Sequence, residues 1–230
     1  MLLKPCGAVC LLILTLASVD LRAQTAAEPE ANTAVDKRIF GVLPNYRTAD
    51  GSAPFVPITA KQKYYIAVKD SFDYPVYFTS ALFAGFYQLE DQNPSFGQGL
   101  KGYGKRLASS YADQAIGNLM TEAIFPSLFH QDPRYFRTGE DGGTKKRRTG
   151  YALTRVFVAK SDTGKNMFNY AEWVGNGAAV AVSNVYYPSD TRNVGDNLEK
   201  LGVQVATDAL SQVLKEFWPD LKRKFFKKKS

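Results

Sequence analysis

The residue best suited to chemistry is His130, the one histidine of the chain, set in Phe129-His130-Gln131-Asp132-Pro133-Arg134-Tyr135-Phe136. An imidazole titrates near neutrality and can serve as a general base, with Asp132 two residues on to orient it and Arg134 beside both. That trio would suit a hydrolase of lipid or glycan, but no serine nucleophile is marked by an elbow motif. The plainer reading puts His130 at a helix C-terminus, makes Asp132-Pro133 a turn, and pairs Arg134 locally.

A second candidate is rich in glycine. Gly97-Gln98-Gly99-Leu100-Lys101-Gly102 matches the dinucleotide fingerprint, yet Glu90-Asp91-Gln92-Asn93-Pro94 before it is a loop where the fingerprint needs a strand. Gly99 to Arg106 has the spacing of a phosphate-binding loop, with Arg106 where Ser or Thr should hold magnesium. A weaker anion site survives. Backbone N–H groups around Gly102 and Gly104, flanked by Lys105 and Arg106, could hold a phosphate at a helix start. The alternative is a plain glycine-rich connection.

One histidine and two cysteines, Cys6 and Cys10, leave too few ligands for a zinc site, and Asp190 to Gly195 lacks the ligands of a calcium loop. No metal and no cofactor are expected.

The third candidate is the C-terminal segment. Trp218, Leu221, Phe225 and Phe226 alternate with Lys222, Arg223, Lys224, Lys227, Lys228 and Lys229, six cations against Asp220. Aromatic side chains ringed by cations suit a bilayer interface carrying anionic lipids. A frayed, solvated terminus is the bland alternative.

These groups must be carried by elements that the pattern also predicts. Met1 to Ala23 has a short positive start, an apolar run ending at Val19 and a small residue before Gln24, which reads as a cleaved signal peptide. Export is thus expected, to the periplasm or the periplasmic face of an envelope membrane. Both cysteines would leave with residues 1–23, and thiol chemistry and disulfides with them. That segment holds Lys4 and Arg22 against Asp20, so the net charge of +7 becomes +6, most of it in the last dozen residues. A near-neutral body in an exported chain argues against nucleic acid as a partner.

Residues 24–58 read as an extended or disordered lead-in with Pro44, Pro54 and Pro57, which Ile39-Phe40 and Phe55-Val56 could pin to the body. Residues 59–217 read as the helical domain. Thr59 is a candidate N-cap, and Pro75 separates two helices or kinks one. From Leu107 to Ile124 apolar pairs recur every four residues, so on an α-helix the stripe drifts about 40° per repeat and needs more than one neighbour. A shorter helix is expected over Tyr151 to Lys160, and an amphipathic one from Leu198 to Phe217. Residues 166–187, rich in Gly175, Gly177, Ala179 and Ser183, suit a buried helix or a membrane-inserted one. Against insertion stand Glu172, Asn176 and a mean hydropathy of −0.25 for the chain. Pro219 should reset the chain before the 218–230 tail. Strand-type alternation is nearly absent, so the fold class is all-α, a compact bundle of about five to seven helices.

The Phe129–Phe136 block, with Ser183-Asn184-Val185-Tyr186-Tyr187-Pro188 and Lys215-Glu216-Phe217-Trp218-Pro219-Asp220, resembles a family of exported bacterial helical proteins. The resemblance covers most of the mature chain and brings no activity with it. The leading expectation is a non-enzymatic envelope protein docked through its basic tail on an anionic membrane surface, with other envelope proteins as further partners. The alternatives are the hydrolase built on His130 and Asp132, and an integral protein inserting residues 166–187.

Overall fold

The computed structural model describes residues 38–39, 43–44 and 47–225. The predicted signal peptide, most of the lead-in and Phe226, Lys227, Lys228 and Lys229 lie outside them. Helices dominate what is described, and the strands are only two to four residues long.

Strands β1 (Arg38–Ile39) and β2 (Leu43–Pro44) form a small hairpin. Strand β3 (Thr48–Asp50) lies parallel to β5 (Tyr135–Arg137), so the lead-in is tied to the body before the helices begin. Helix α1 (Ala60–Ser71) starts at the predicted Thr59, in a reciprocal box: Gln62 N–H donates to Thr59 Oγ1 at 3.3 Å, and Thr59 N–H to Gln62 Oε1 at 2.7 Å. Pro75 does separate two helices. It sits in the first turn of α2 (Tyr74–Leu89), capped by Asp73, where a missing N–H costs nothing.

Helix α3 (Gly99–Asn118) runs alongside α2 and passes into a π-turn (Leu119–Ile124), then α4 (Phe125–Leu128). The four-residue repeat supplies a reason for the π-turn. A stripe that drifts about 40° per repeat is brought back by one extra residue in a turn, worth about 100°. Glu122 is thereby carried into the interior, 1% exposed. Helix α5 (Lys145–Thr154) begins earlier than expected, because Thr144 caps it, and stops before the sheet strand β6 (Val158–Ser161). Strand β6 pairs with β4 (Gln131–Asp132) and with β7 (Asn166–Phe168).

Residues 166–187 therefore do not form one long helix. They give β7 and then the 14-residue α6 (Tyr170–Ser183), which packs on the π-turn, α3 and α7 (Val194–Phe225). A Cβ at Gly175 would stand 3.0 Å from Thr121 Cγ2, so glycine permits that close approach. Among the described residues no helix is long and apolar enough to cross a membrane. Helix α7 also corrects the expected break at Pro219, which lies inside it. The turns beyond Pro219 stay attached because Arg148 and Arg223 both grip Asp220, at 2.6 and 2.5 Å.

Candidate functional site

The sequence candidates are dispersed in the structure. Arg106 is 1% exposed and is spent on the loop between α2 and α3. Its guanidinium donates to the carbonyls of Gln92 (2.9 and 2.6 Å), Asn93 (3.3 Å) and Gly97 (2.6 Å), and to Gln88 Oε1 (2.7 Å). A Cβ at Gly102 would fall 2.0 Å from Gly97 O, so this glycine serves the same close approach. Lys105 is exposed near the Phe96 ring, and nothing crowds Gly104. These four residues close a loop with Arg106 already saturated, and they form no anion cradle.

His130 and Asp132 are likewise not joined. His130 takes a left-handed φ of 52° at the end of α4, and its side chain is 86% exposed. The carboxylate facing it, at 3.8 Å, is that of Asp162. Asp132 is buried, and Arg134 holds it through Nε (3.0 Å) and a terminal nitrogen (2.6 Å) while also donating to the Val56 carbonyl. The trio splits into an exposed imidazole and a buried clamp on the lead-in.

The basic tail is changed too. Trp218 is 2% exposed, so it belongs to the interior and not to a membrane-contact set. Leu221 is half-buried, while Lys222, Arg223 and Lys224 are exposed at the end of α7. A second basic run, Lys145, Lys146 and Arg147, is exposed at the start of α5. Arg148 joins the two: it donates to Glu216 Oε1 (2.9 Å), the Glu216 carbonyl (2.9 Å) and Asp220 Oδ2 (2.6 Å). Glu216 is completely buried and fully engaged. It also accepts from Tyr135 Oη (2.7 Å), Thr138 N (3.1 Å) and Oγ1 (2.9 Å), and Gly139 N (3.0 Å). Burial alone would raise its carboxyl, but these donors outweigh it and hold the group below the ordinary range.

A different ionic cluster lies at the π-turn. Arg47, just before β3, donates to Glu122 Oε1 (2.7 Å) and to the Pro133 carbonyl (3.1 Å). Around this pair stand Asp70 of α1, Glu172 and Asn176 of α6, and Asp208 and Lys215 of α7. Burial pushes Glu122 up to about 8, a shift that Arg47 opposes and Asp70 reinforces. Glu172 is also well above the ordinary range, through burial and then the neighbouring Asp208. Burial raises Asp70 as well, and it lowers Lys215 with Arg47 adding repulsion. Asp70 Oδ1 and Glu122 Oε2 meet no donor. Their carboxyl groups are within hydrogen-bonding reach of each other, and that contact becomes a bond only when one of them holds a proton.

Two members of this cluster, Asn176 and Asp208, also line a cleft of about 690 Å³ between α2, α3, α6 and α7, while Arg47, Asp70, Glu122 and Glu172 lie behind its lining. Asn176 Nδ2 ties the cleft to the buried acids by donating to Glu172 Oε1 at 3.1 Å. A cleft of this size beside a polar cluster is the default binding-site geometry. Among the described residues no group of three or more His, Cys, Asp or Glu is placed to hold a metal ion. Sequence reasoning did not find this cluster. Arg47 falls in the lead-in, and Glu122 is one of the polar residues between the apolar pairs of the four-residue repeat, with no mark that sets it apart. The available signal was Glu172 and Asn176, one turn apart on a helix otherwise made of small and apolar residues.

Comparison of the chain with protein-family models, with curated proteins and with solved structures finds no match.

Proposed function

We propose that this is a non-enzymatic protein of the bacterial envelope, exported to the periplasm and held at an anionic membrane surface by the basic end of the bundle. One observation carries the reading. Two cationic runs some seventy residues apart in the chain, Lys145–Arg147 and Lys222–Lys224, share one end because Arg148 clamps the start of α5 to the end of α7. Lys227, Lys228 and Lys229 follow directly in the sequence. Each cation near an anionic leaflet contributes about 1 kcal/mol.

Flotation with liposomes tests the proposal. The chain should float with phosphatidylglycerol vesicles at low salt and far less with phosphatidylcholine or at high salt. The triple change Lys145→Glu, Lys146→Glu, Arg147→Glu should weaken vesicle binding on the order of a hundredfold or more. Equal binding to neutral vesicles, or no response to charge reversal at both runs, overturns it.

A further inference from the structure

The cleft is independent of the basic end and has the opposite character. Its wall carries Glu90, Asp91, Asp113, Asp196, Glu199 and Asp208 against a single cation, Lys200. Aromatic faces complete it, with Phe83, Phe86 and Tyr87 from α2 and Tyr187 beyond α6. Carboxylates beside π-faces are the chemistry that recognises organic ammonium ions.

The protein itself shows such a contact. Lys200 Nζ lies 3.6 Å from the centre of the Tyr187 ring and has no hydrogen-bond partner. At the hydroxyl edge of that ring, Asp113 accepts from Tyr186 Oη (2.5 Å) and Tyr187 Oη (2.6 Å), which makes the ring more electron-rich and the better as a cation site. Two further polar atoms of the wall are also without a partner: Gln204 Oε1, and the Oγ of Ser110, a residue only 4% exposed. Both can accept N–H donors.

The spacing narrows the class. The carboxylates are strung along the wall instead of gathered at one point. Asp196 and Asp208 on α7 are twelve residues apart, about 18 Å of helix. A compact cation meets one end of such a row, whereas a chain of ammonium groups joined by methylenes meets both and lays its apolar stem along the aromatic wall.

We propose that the cleft binds a linear polyamine, extended along α7 from Asp196 and Glu199 to Asp208, with one ammonium group over Tyr187 in the place that Lys200 occupies. Isothermal titration of the full chain with spermine tests this, with circular dichroism to confirm that each variant is folded. Saturable binding is expected, with tetramethylammonium and Mg²⁺ at least roughly tenfold weaker. Asp208→Asn at one end, and Asp196→Asn with Glu199→Gln at the other, should each weaken spermine by roughly tenfold. Lys200→Met removes the internal competitor and should tighten it severalfold. The assignment is overturned if spermine gives no saturable binding, if neither end matters, if either small cation binds as tightly, or if Lys200→Met weakens binding. These titrations contain no lipid, so their failure leaves the docking proposal untouched, and loss of vesicle binding leaves this one untouched.

Discussion

Two buried ionic clusters use the same side-chain types to opposite ends. At the α5–α7 junction Glu216 meets five donors and its carboxyl stays below the ordinary range. At the π-turn Glu122 has Arg47 on one oxygen and no donor on the other, and its carboxyl is pushed up to about 8. The number of donors separates them, for both glutamates are almost wholly shielded from solvent and both pair with an arginine. A buried carboxylate with every lone pair occupied acts as a fastener. One left short of donors favours its protonated form.

The sharpest way to break this contrast is to remove the fastener. Glu216→Ala leaves Arg148 buried beside four other orphaned donors and should cost about 3–5 kcal/mol in urea unfolding. A loss under about 1 kcal/mol would contradict its structural role. The paired arginines should then differ. Arg148→Met strands a carboxylate that resists protonation and should cost nearly as much. Arg47→Met leaves Glu122 free to hold its proton, for a loss of about 1–3 kcal/mol. Equal losses for the two would erase the distinction.

The pH dependence sharpens it further. Glu122 is raised when folded, so the folded chain binds its proton more tightly than the unfolded chain does. Stability then falls as pH rises from the ordinary 4.5 towards about 8, by an amount on the order of a few kcal/mol. Glu122→Gln should flatten that decline while staying within about 1 kcal/mol of the parent near pH 6. Glu216 is lowered when folded, so its contribution is present above the ordinary 4.5 and is lost as pH falls through its own, lower pKa. Glu216→Gln should therefore flatten the acid limb alone. The smallest effect belongs to His130→Ala: with the side chain 86% exposed, thermal unfolding should move by no more than about 0.5 kcal/mol.

Much of the scaffold was legible in the chain. Thr59 and Pro75 marked helix starts because capping and proline act locally, and the repeat from Leu107 to Ile124 announced a helix covered on several sides. The small strands were not legible. Segments as short as β4 and β7 carry no usable alternation, and the partner of β4 lies some thirty residues further on. The candidate chemistry was read from adjacency, and adjacency misled. Asp132 follows His130 by two residues yet belongs to Arg134, and Arg106 beside its glycines is spent on carbonyl oxygens. The ionic cluster at the π-turn draws Arg47, Asp70, Glu122, Glu172 and Asp208 from separate elements, and no linear pattern joins them. The basic tail and the run from Lys145 to Arg148 are both legible as charge alone, and their junction, Arg148 against Glu216 and Asp220, belongs to the fold.

A carbon-13 NMR titration of the side-chain carboxyl carbons, assigned with Glu122→Gln and Glu216→Gln, tests the contrast most directly. The account predicts one resonance titrating near pH 8 that vanishes in the first variant, and one titrating below 4.5 that vanishes in the second. If both carboxyl groups titrate together in the ordinary glutamate range, the two clusters are alike and the account is wrong.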